Sequence, residues 1–267
     1  MGDILIDSLA EGIFEPDYFC GNFLGYCSSS NYYVFYSEDW VNRLLETKPV
    51  YLKNNDYINK IYDQIAADPK PRKTLTAVQI SDPHVDYEYT IGSDSKCGGF
   101  LCCRASNGFP TDPSRKAGPF GSYQCDLPAS SLDNVLEFVK TDVKPDLFFW
   151  TGDNSPHNVW AKNIPEVGNA TLNITLAIQR AFNGTNISVY PIQGNHDTWP
   201  VNIQDFSTPN TNEPINAFSG TWANWLDAET LQSFRQYGYY STALKLKDGR
   251  VFNKTRILGI NTQACNN

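Results

Sequence analysis

Three short apolar, β-rich runs in this chain, residues 74–80, 146–150 and 187–192, each end on a polar motif of the kind that holds metal. The first runs into Ser81-Asp82-Pro83-His84, the second into Thr151-Gly152-Asp153-Asn154, and the third into Gln193-Gly194-Asn195-His196-Asp197. Amphipathic helical periodicity over residues 132–139 separates the first two. Strands alternating with helices build a largely parallel, doubly covered sheet, so an α/β fold is expected. In such sheets ligands collect beyond the carboxyl ends of the strands, which would bring Asp82, His84, Asp153, Asn195 and His196 together from distant parts of the sequence.

Each motif alone has a plain structural reading. An Asp-x-His triplet is common in loops, and Gly152-Asp153 serves equally well as a turn with a helix cap. Gly194-Asn195-His196-Asp197 is sharper, because glycine permits close backbone approach and the three polar residues after it are costly to keep in a simple turn. All three in order, each behind an apolar strand in a chain with only three histidines, point to a metal site. Asp82 and His84, two apart in extended chain, can turn to one ion, while the two oxygens of Asp153 can bridge to a second. The Asn195 amide oxygen adds a neutral ligand.

Composition narrows the setting. A net charge of −8 and a pI near 4.9 argue against a nucleic-acid partner, which needs a basic footprint. No apolar run reaches the roughly 18 residues of a membrane span, and the first residues lack the regions of a signal peptide. Two features nevertheless point to an oxidising, glycosylating compartment. Cys97, Cys102, Cys103 and Cys125 crowd a Gly-, Ser- and Pro-rich loop with little core to hold it, and sequons stand at Asn169, Asn173, Asn183, Asn186 and Asn253. A secreted or lysosomal location is expected, and the missing signal peptide then reads as N-terminal truncation. The cysteines are not spaced as zinc knuckles.

Residues 3–27 carry apolar positions at helical spacing, and residues 28–73 read as a connector with short helices over 39–46 and 56–67, ending in the breaker run at 68–72. Beyond it, residues 214–236 look helical, and 239–246 and 256–260 look like further strands.

The order Asp82-x-His84, Gly152-Asp153, Gly194-Asn195-His196-Asp197 resembles that of the calcineurin-like metallophosphoesterases. The surroundings resemble one branch, the acid sphingomyelinase family: Cys97 to Cys103 with Arg104, then Tyr123-Gln124-Cys125-Asp126-Leu127-Pro128, then His157 four residues after Asp153, and Pro200-Val201-Asn202 after the third motif. The resemblance implies a metallophosphoesterase sheet sandwich with helices on its faces over residues 74–267, incomplete at its C-terminus. It makes residues 1–28 the last part of a saposin-type helical domain and 29–73 a connector. It pairs Cys97 with Cys102 and Cys103 with Cys125. Cys20, Cys27 and Cys265 would have partners outside the chain, the alternatives being a local disulfide for the first two and a free thiol for the third.

By the same resemblance two zinc ions are held, one by Asp82 and His84, the other by Asn195, with Asp153 between them. His196 would face the substrate, with Asp197 as its orienting partner. His157 would assist the leaving group, its alternative being a loop histidine that caps the next segment. The implied reaction is hydrolysis of sphingomyelin to ceramide and phosphocholine by a monomer, with the saposin-type part engaging the membrane surface. The apolar stripe over residues 3–27 reads equally as a core face. The alternatives are a phosphodiesterase of nucleotides or other soluble diesters, and a non-catalytic lipid-binding remnant. Family members take further histidine ligands from beyond the strand that ends near Cys265, so this chain alone is expected to have little or no activity.

Overall fold

The computed structural model describes residues 38–46, 48–49, 56–68, 74–204 and 213–265. The chain divides into two compact units, residues 1–72 and 73–267. Of the first, the described elements are α1 (Glu38–Glu46) and α2 (Asp56–Ala67), the two short helices expected in the connector. The stripe over residues 3–27, with Cys20 and Cys27, lies outside the described residues.

The second unit is built on three parallel strands, β1 (Ala77–Ile80), β4 (Leu147–Trp150) and β5 (Ser188–Pro191), with β4 in the middle. The strand order explains the sequence of β4: Leu147-Phe148-Phe149-Trp150 is almost wholly apolar because a central parallel strand is covered on both faces. Register pairs Ile80 with Trp150 and Trp150 with Pro191, so all three chains leave the sheet at the same level. This aligns the three polar motifs.

Helix α3 (Ala129–Phe138) turns Leu132 and Leu136 into the core, one helical turn apart. Helix α4 (Ile164–Ala181) is the element that periodicity did not reveal. Its buried positions, among them Val167, Ala170, Thr171, Ile174, Ala177 and Ile178, do follow helical spacing, but the threonines among them blur the pattern. The Asn163 side chain caps it by accepting the Glu166 N–H at 3.0 Å. Gly168 lets it approach α5 (Glu213–Ser219): a Cβ there would lie 3.0 Å from that of Ala217.

The helical run expected over 214–236 is broken. A 3-10 segment follows α5, and α6 (Ala228–Tyr237) restarts where Asp227 caps it. Strands β6 (Tyr240–Lys245) and β7 (Val251–Gly259) form an antiparallel hairpin, with β7 starting five residues before the expected 256. Phe148, Trp150, Phe218, Trp222 and Phe234 are buried at the centre, with Trp222 stacked on Phe234 at 5.0 Å. The unit is thus a mixed α/β fold with a parallel sheet and covering helices, consistent with a metallophosphoesterase.

Between β2 (Val85–Asp86) and β3 (Leu127–Pro128), which pair in parallel, lies an insert whose described helical pieces are two 3-10 turns. Disulfides Cys97–Cys102 and Cys103–Cys125 close it as expected. Two ion pairs reinforce it: Arg104 forks onto buried Asp86 at 2.7 and 3.0 Å, and Arg115 pairs with Asp94.

Candidate metal centre

The three strand-end motifs are laced together through their backbones. Asp82 N–H donates to the Gly152 carbonyl at 3.1 Å, His84 N–H to that of Asp153 at 3.0 Å, and Val85 N–H to that of Asn154 at 3.1 Å. Asp82, His84 and Asp153 all adopt left-handed backbone, at φ of 53°, 36° and 59°. Such conformations cost on the order of 1 kcal/mol each and persist where surrounding bonds hold them. Two glycines let the motifs touch: a Cβ on Gly152 would sit 2.0 Å from the Gly194 nitrogen, and one on Gly194 would sit 2.1 Å from Asp153 Oδ1.

Asp197 is the knot in this lacing, which corrects the expectation that it orients His196. Fully buried, it accepts the backbone N–H groups of Asp153 (2.9 Å), Asn154 (2.9 Å) and Gly194 (2.8 Å), and also the Asn154 side-chain amide (2.9 Å). The physical reason is that two turns meeting in a dry interior leave N–H donors that need an acceptor, and Asp197 is the one in reach. Burial pushes its carboxyl up, against the pull of those donors. Thr171 of α4 donates to the same carboxylate at 3.3 Å, so the helix under the site is bonded to it.

The side chains expected to bind metal do converge. Ligand atoms of Asp82, His84 and Asp153 lie within 4.8 Å of one another. His84 Nδ1 is 2.7 Å from the Ser155 carbonyl, a contact that needs a proton on Nδ1 and so leaves Nε2, 3.8 Å from Asp153 Oδ2, as the free donor atom. Burial lowers the pKa of His84, favouring that neutral form. Asp153 is pushed up to about 7, by burial first and by Asp197 and Asp82 as well. His196 N–H donates to its Oδ1 at 2.8 Å. Asn195 gives its amide NH2 to Asn202 Oδ1 at 2.7 Å, which commits the nitrogen elsewhere and leaves the amide oxygen for a ligand role.

A divalent cation fits this donor set. The crowded carboxylates repel one another, His84 is held in the metal-binding tautomer, and a cation would relieve both the repulsion and the raised Asp153.

All three histidines of the chain form one cluster. Ring centroids of His84 and His157 are 3.9 Å apart, those of His84 and His196 4.7 Å, and those of His157 and His196 5.1 Å. Their nitrogens also come within 4.8 Å of one another, close enough to share an ion. The His196 pKa is lowered to about 4, by burial first and then by the two neighbouring rings, and its Nδ1 is buried with no hydrogen-bond partner among the described residues. His157 is oriented from the insert: Asp126 takes its backbone N–H at 2.7 Å and its Nδ1 at 2.6 Å.

Sequence reasoning assigned no role to Asp126, Ser155 or Asn202. For Asp126 the available signal was its place directly after a bonded cysteine, and for Asn202 its place in the run after the third motif. Ser155 acts through its carbonyl, which no side-chain pattern reveals.

Two clefts meet at Ser81 and Asp82. One, of about 590 Å³, is polar and passes Asp153, Asn195, Asn261 and Gln263. The other, of about 830 Å³, is largely apolar and runs past His84 and His157 along the insert.

Against known proteins, residues 75–262 match the family model described as calcineurin-like phosphoesterase. Sphingomyelin phosphodiesterase A of Dictyostelium discoideum is 32% identical over 91% of this chain and 41% of its own length. Human sphingomyelin phosphodiesterase is 34% identical over 61% of the chain and 26% of its own length. The bovine cyclic GMP-AMP phosphodiesterase SMPDL3A is 33% identical over 68% and 37%. The chain therefore spans less than half the length of these relatives. With three strand-end motifs meeting at one crowded set of metal donors, and a family match across the whole sheet, the chain belongs to the calcineurin-like phosphoesterases.

Proposed function

We propose that this chain is part of a secreted or lysosomal zinc-dependent phosphodiesterase that cleaves sphingomyelin into ceramide and phosphocholine. The observation that carries the reading is the meeting of Asp82, His84 and Asp153 within 4.8 Å, with His84 committed to the tautomer that presents Nε2. Asp82 and His84 would hold one of two zinc ions and Asn195 the other, with Asp153 between them. When bound, the metal supplies Lewis acidity toward water and a phosphoryl oxygen.

The remaining chemistry belongs to the chain. His196 is neutral at physiological pH and can offer an N–H to a phosphoryl oxygen as charge builds there. His157, held through Nδ1 by Asp126, lines the cleft and in its doubly protonated form would pass a proton to the leaving alkoxide. The lacing under Asp197 keeps the three motifs in register, so little reorganisation is needed during reaction.

Relatives named as sphingomyelin phosphodiesterases favour the lipid. Residues 1–28, as a saposin-type piece, would bring the membrane surface to the site. The secretory setting is favoured by two disulfides and by five sequon asparagines that are all exposed. A second reading, hydrolysis of a cyclic dinucleotide or another soluble diester, is favoured by the bovine relative.

The test is zinc content per chain by elemental analysis, for the parent, Asp153→Ala and Asn195→Ala, followed by turnover of labelled sphingomyelin and of a cyclic dinucleotide. Near-stoichiometric zinc that falls in both variants is expected. Zinc uptake unchanged by either substitution would overturn the site, and turnover of the dinucleotide alone would overturn the substrate.

A further inference from the structure

The two clefts that share Ser81 and Asp82 differ in chemistry. The smaller is walled by carboxamides and acids, among them Asn195, Asn261 and Gln263. The larger is lined by His84, His157 and Asp126 together with apolar walls from Phe120, Tyr123, Leu127 and Val135. Among the described residues no lysine or arginine lines it. Phe120 is 65% exposed, Val135 44%, and Tyr123 fully so, an apolar rim beside reactive groups.

The wall is also fixed. The Phe120 carbonyl accepts from Ser131 at 2.8 Å and that of Pro119 from Ser130 at 3.2 Å, tying the segment to α3, while Cys125 is bonded to Cys103. An apolar surface held in place before binding retains more of the free energy gained on contact.

We infer that the larger cleft receives the hydrocarbon part of the leaving alcohol, with Phe120 and Tyr123 as its specificity-determining residues. The inference rests on the phosphodiesterase reading, and places the scissile phosphate at the seam where the two clefts meet. Charge complementarity selects the occupant. Along the insert and away from the metal donors, a second phosphate, as in a dinucleotide, would lie beside Asp126 with no described lysine or arginine to pair with, whereas an alkyl chain meets the apolar side chains of Phe120, Tyr123, Leu127 and Val135. An amphipathic diester matches the pair of clefts, its head group on the carboxamide side and its chain on the aromatic side.

The test is calorimetric titration of the full chain with alkylphosphocholines of four, six, eight and ten carbons, each below its micelle concentration. Affinity should rise with length, by up to about fourfold per buried methylene, until the cleft is filled. Phe120→Ser with Tyr123→Ser should flatten that dependence, and Val135→Ser on α3 should weaken it. Tyr239→Ser, an exposed aromatic outside the cleft, should leave it intact. Affinity independent of chain length, or a dependence untouched by the cleft variants, would overturn the inference. So would a dinucleotide whose binding alone responds to Phe120 and Tyr123, since the cleft would then stack a base. Length-dependent binding by a chain that takes up no zinc would instead count against the phosphodiesterase reading and leave the cleft assignment standing.

Discussion

The parallel sheet and the insert between β2 and β3 hold their shapes by different means. The sheet buries a continuous apolar core, with Phe148, Trp150, Ile174 and Ile178 each at most 1% exposed. The insert keeps large apolar groups outside, with Phe100 at 74% and Phe109 at 63%, and is held by two disulfides and two arginine–aspartate pairs. The two regions also divide the site. The strand ends supply the metal donors, whereas the insert supplies Asp126 and the aromatic wall. Groups that must hold a fixed charge geometry sit on the part stabilised by burial, and groups that shape access sit on the part stabilised by cross-links.

The largest expected effect tests the scaffold side. Asp197→Ala would leave three backbone N–H groups of two different turns, two of them buried, without their acceptor, costing about 3 to 5 kcal/mol. Chemical denaturation should show the midpoint falling accordingly, and zinc uptake should fall with it. An unchanged midpoint would mean that the turns hold themselves.

The insert responds to a different lesion. Cys103→Ser with Cys125→Ser opens a link across 22 residues and should cost about 3 kcal/mol by loop-closure entropy. Proteolytic nicking should appear between the two positions, while amide protection in β4 and β5 stays at parental levels. Loss of protection in the strands as well would erase the proposed division.

Asp126→Ala sharpens the comparison at the seam. It strips the acceptor from His157 and should cost about 2 kcal/mol. With only three histidines in the chain, NMR can follow each ring, and His157 should move while His84 keeps its bond to the Ser155 carbonyl. Equal disturbance of all three rings would mean that the insert braces the whole cluster.

The smallest effect lies at the start of α6. Asp227 caps α6, accepting from Thr230 N–H at 2.9 Å and from Lys245 Nζ at 2.8 Å, so Asp227→Ala should cost about 1 kcal/mol. Lys245 first, and then Thr230, draw its pKa from 3.8 down to about 2. A depressed carboxyl stabilises fully above its unfolded value, so this contribution is present above about pH 4 and fades as the pH falls toward 2. Thermal melts of parent and variant should therefore converge in that window.

The strand-end motifs were legible because short apolar runs followed by Asp, His, Asn and Gly carry both a period and a chemistry. The disulfide pairs came from resemblance to a cysteine pattern. Helix α4 was not legible, because two of its core-facing positions are threonines that also belong to sequons. Thr171, fully buried, bonds to Asp197 and Asn154 beneath the site, a role its sequence context hides.

What the sequence determined by itself is the α/β class, the meeting of three strand ends and the donor types that meet there, because local periodicity and residue chemistry act over a few neighbours. What only the tertiary structure decided is which groups serve which. Asp197 binds backbone rather than His196, Asp126 crosses 31 residues to reach His157, and two clefts of opposite polarity meet at Asp82. Those assignments depend on which unsatisfied donor lies nearest to which acceptor once water is excluded, and proximity across the fold is not written in the order of the chain.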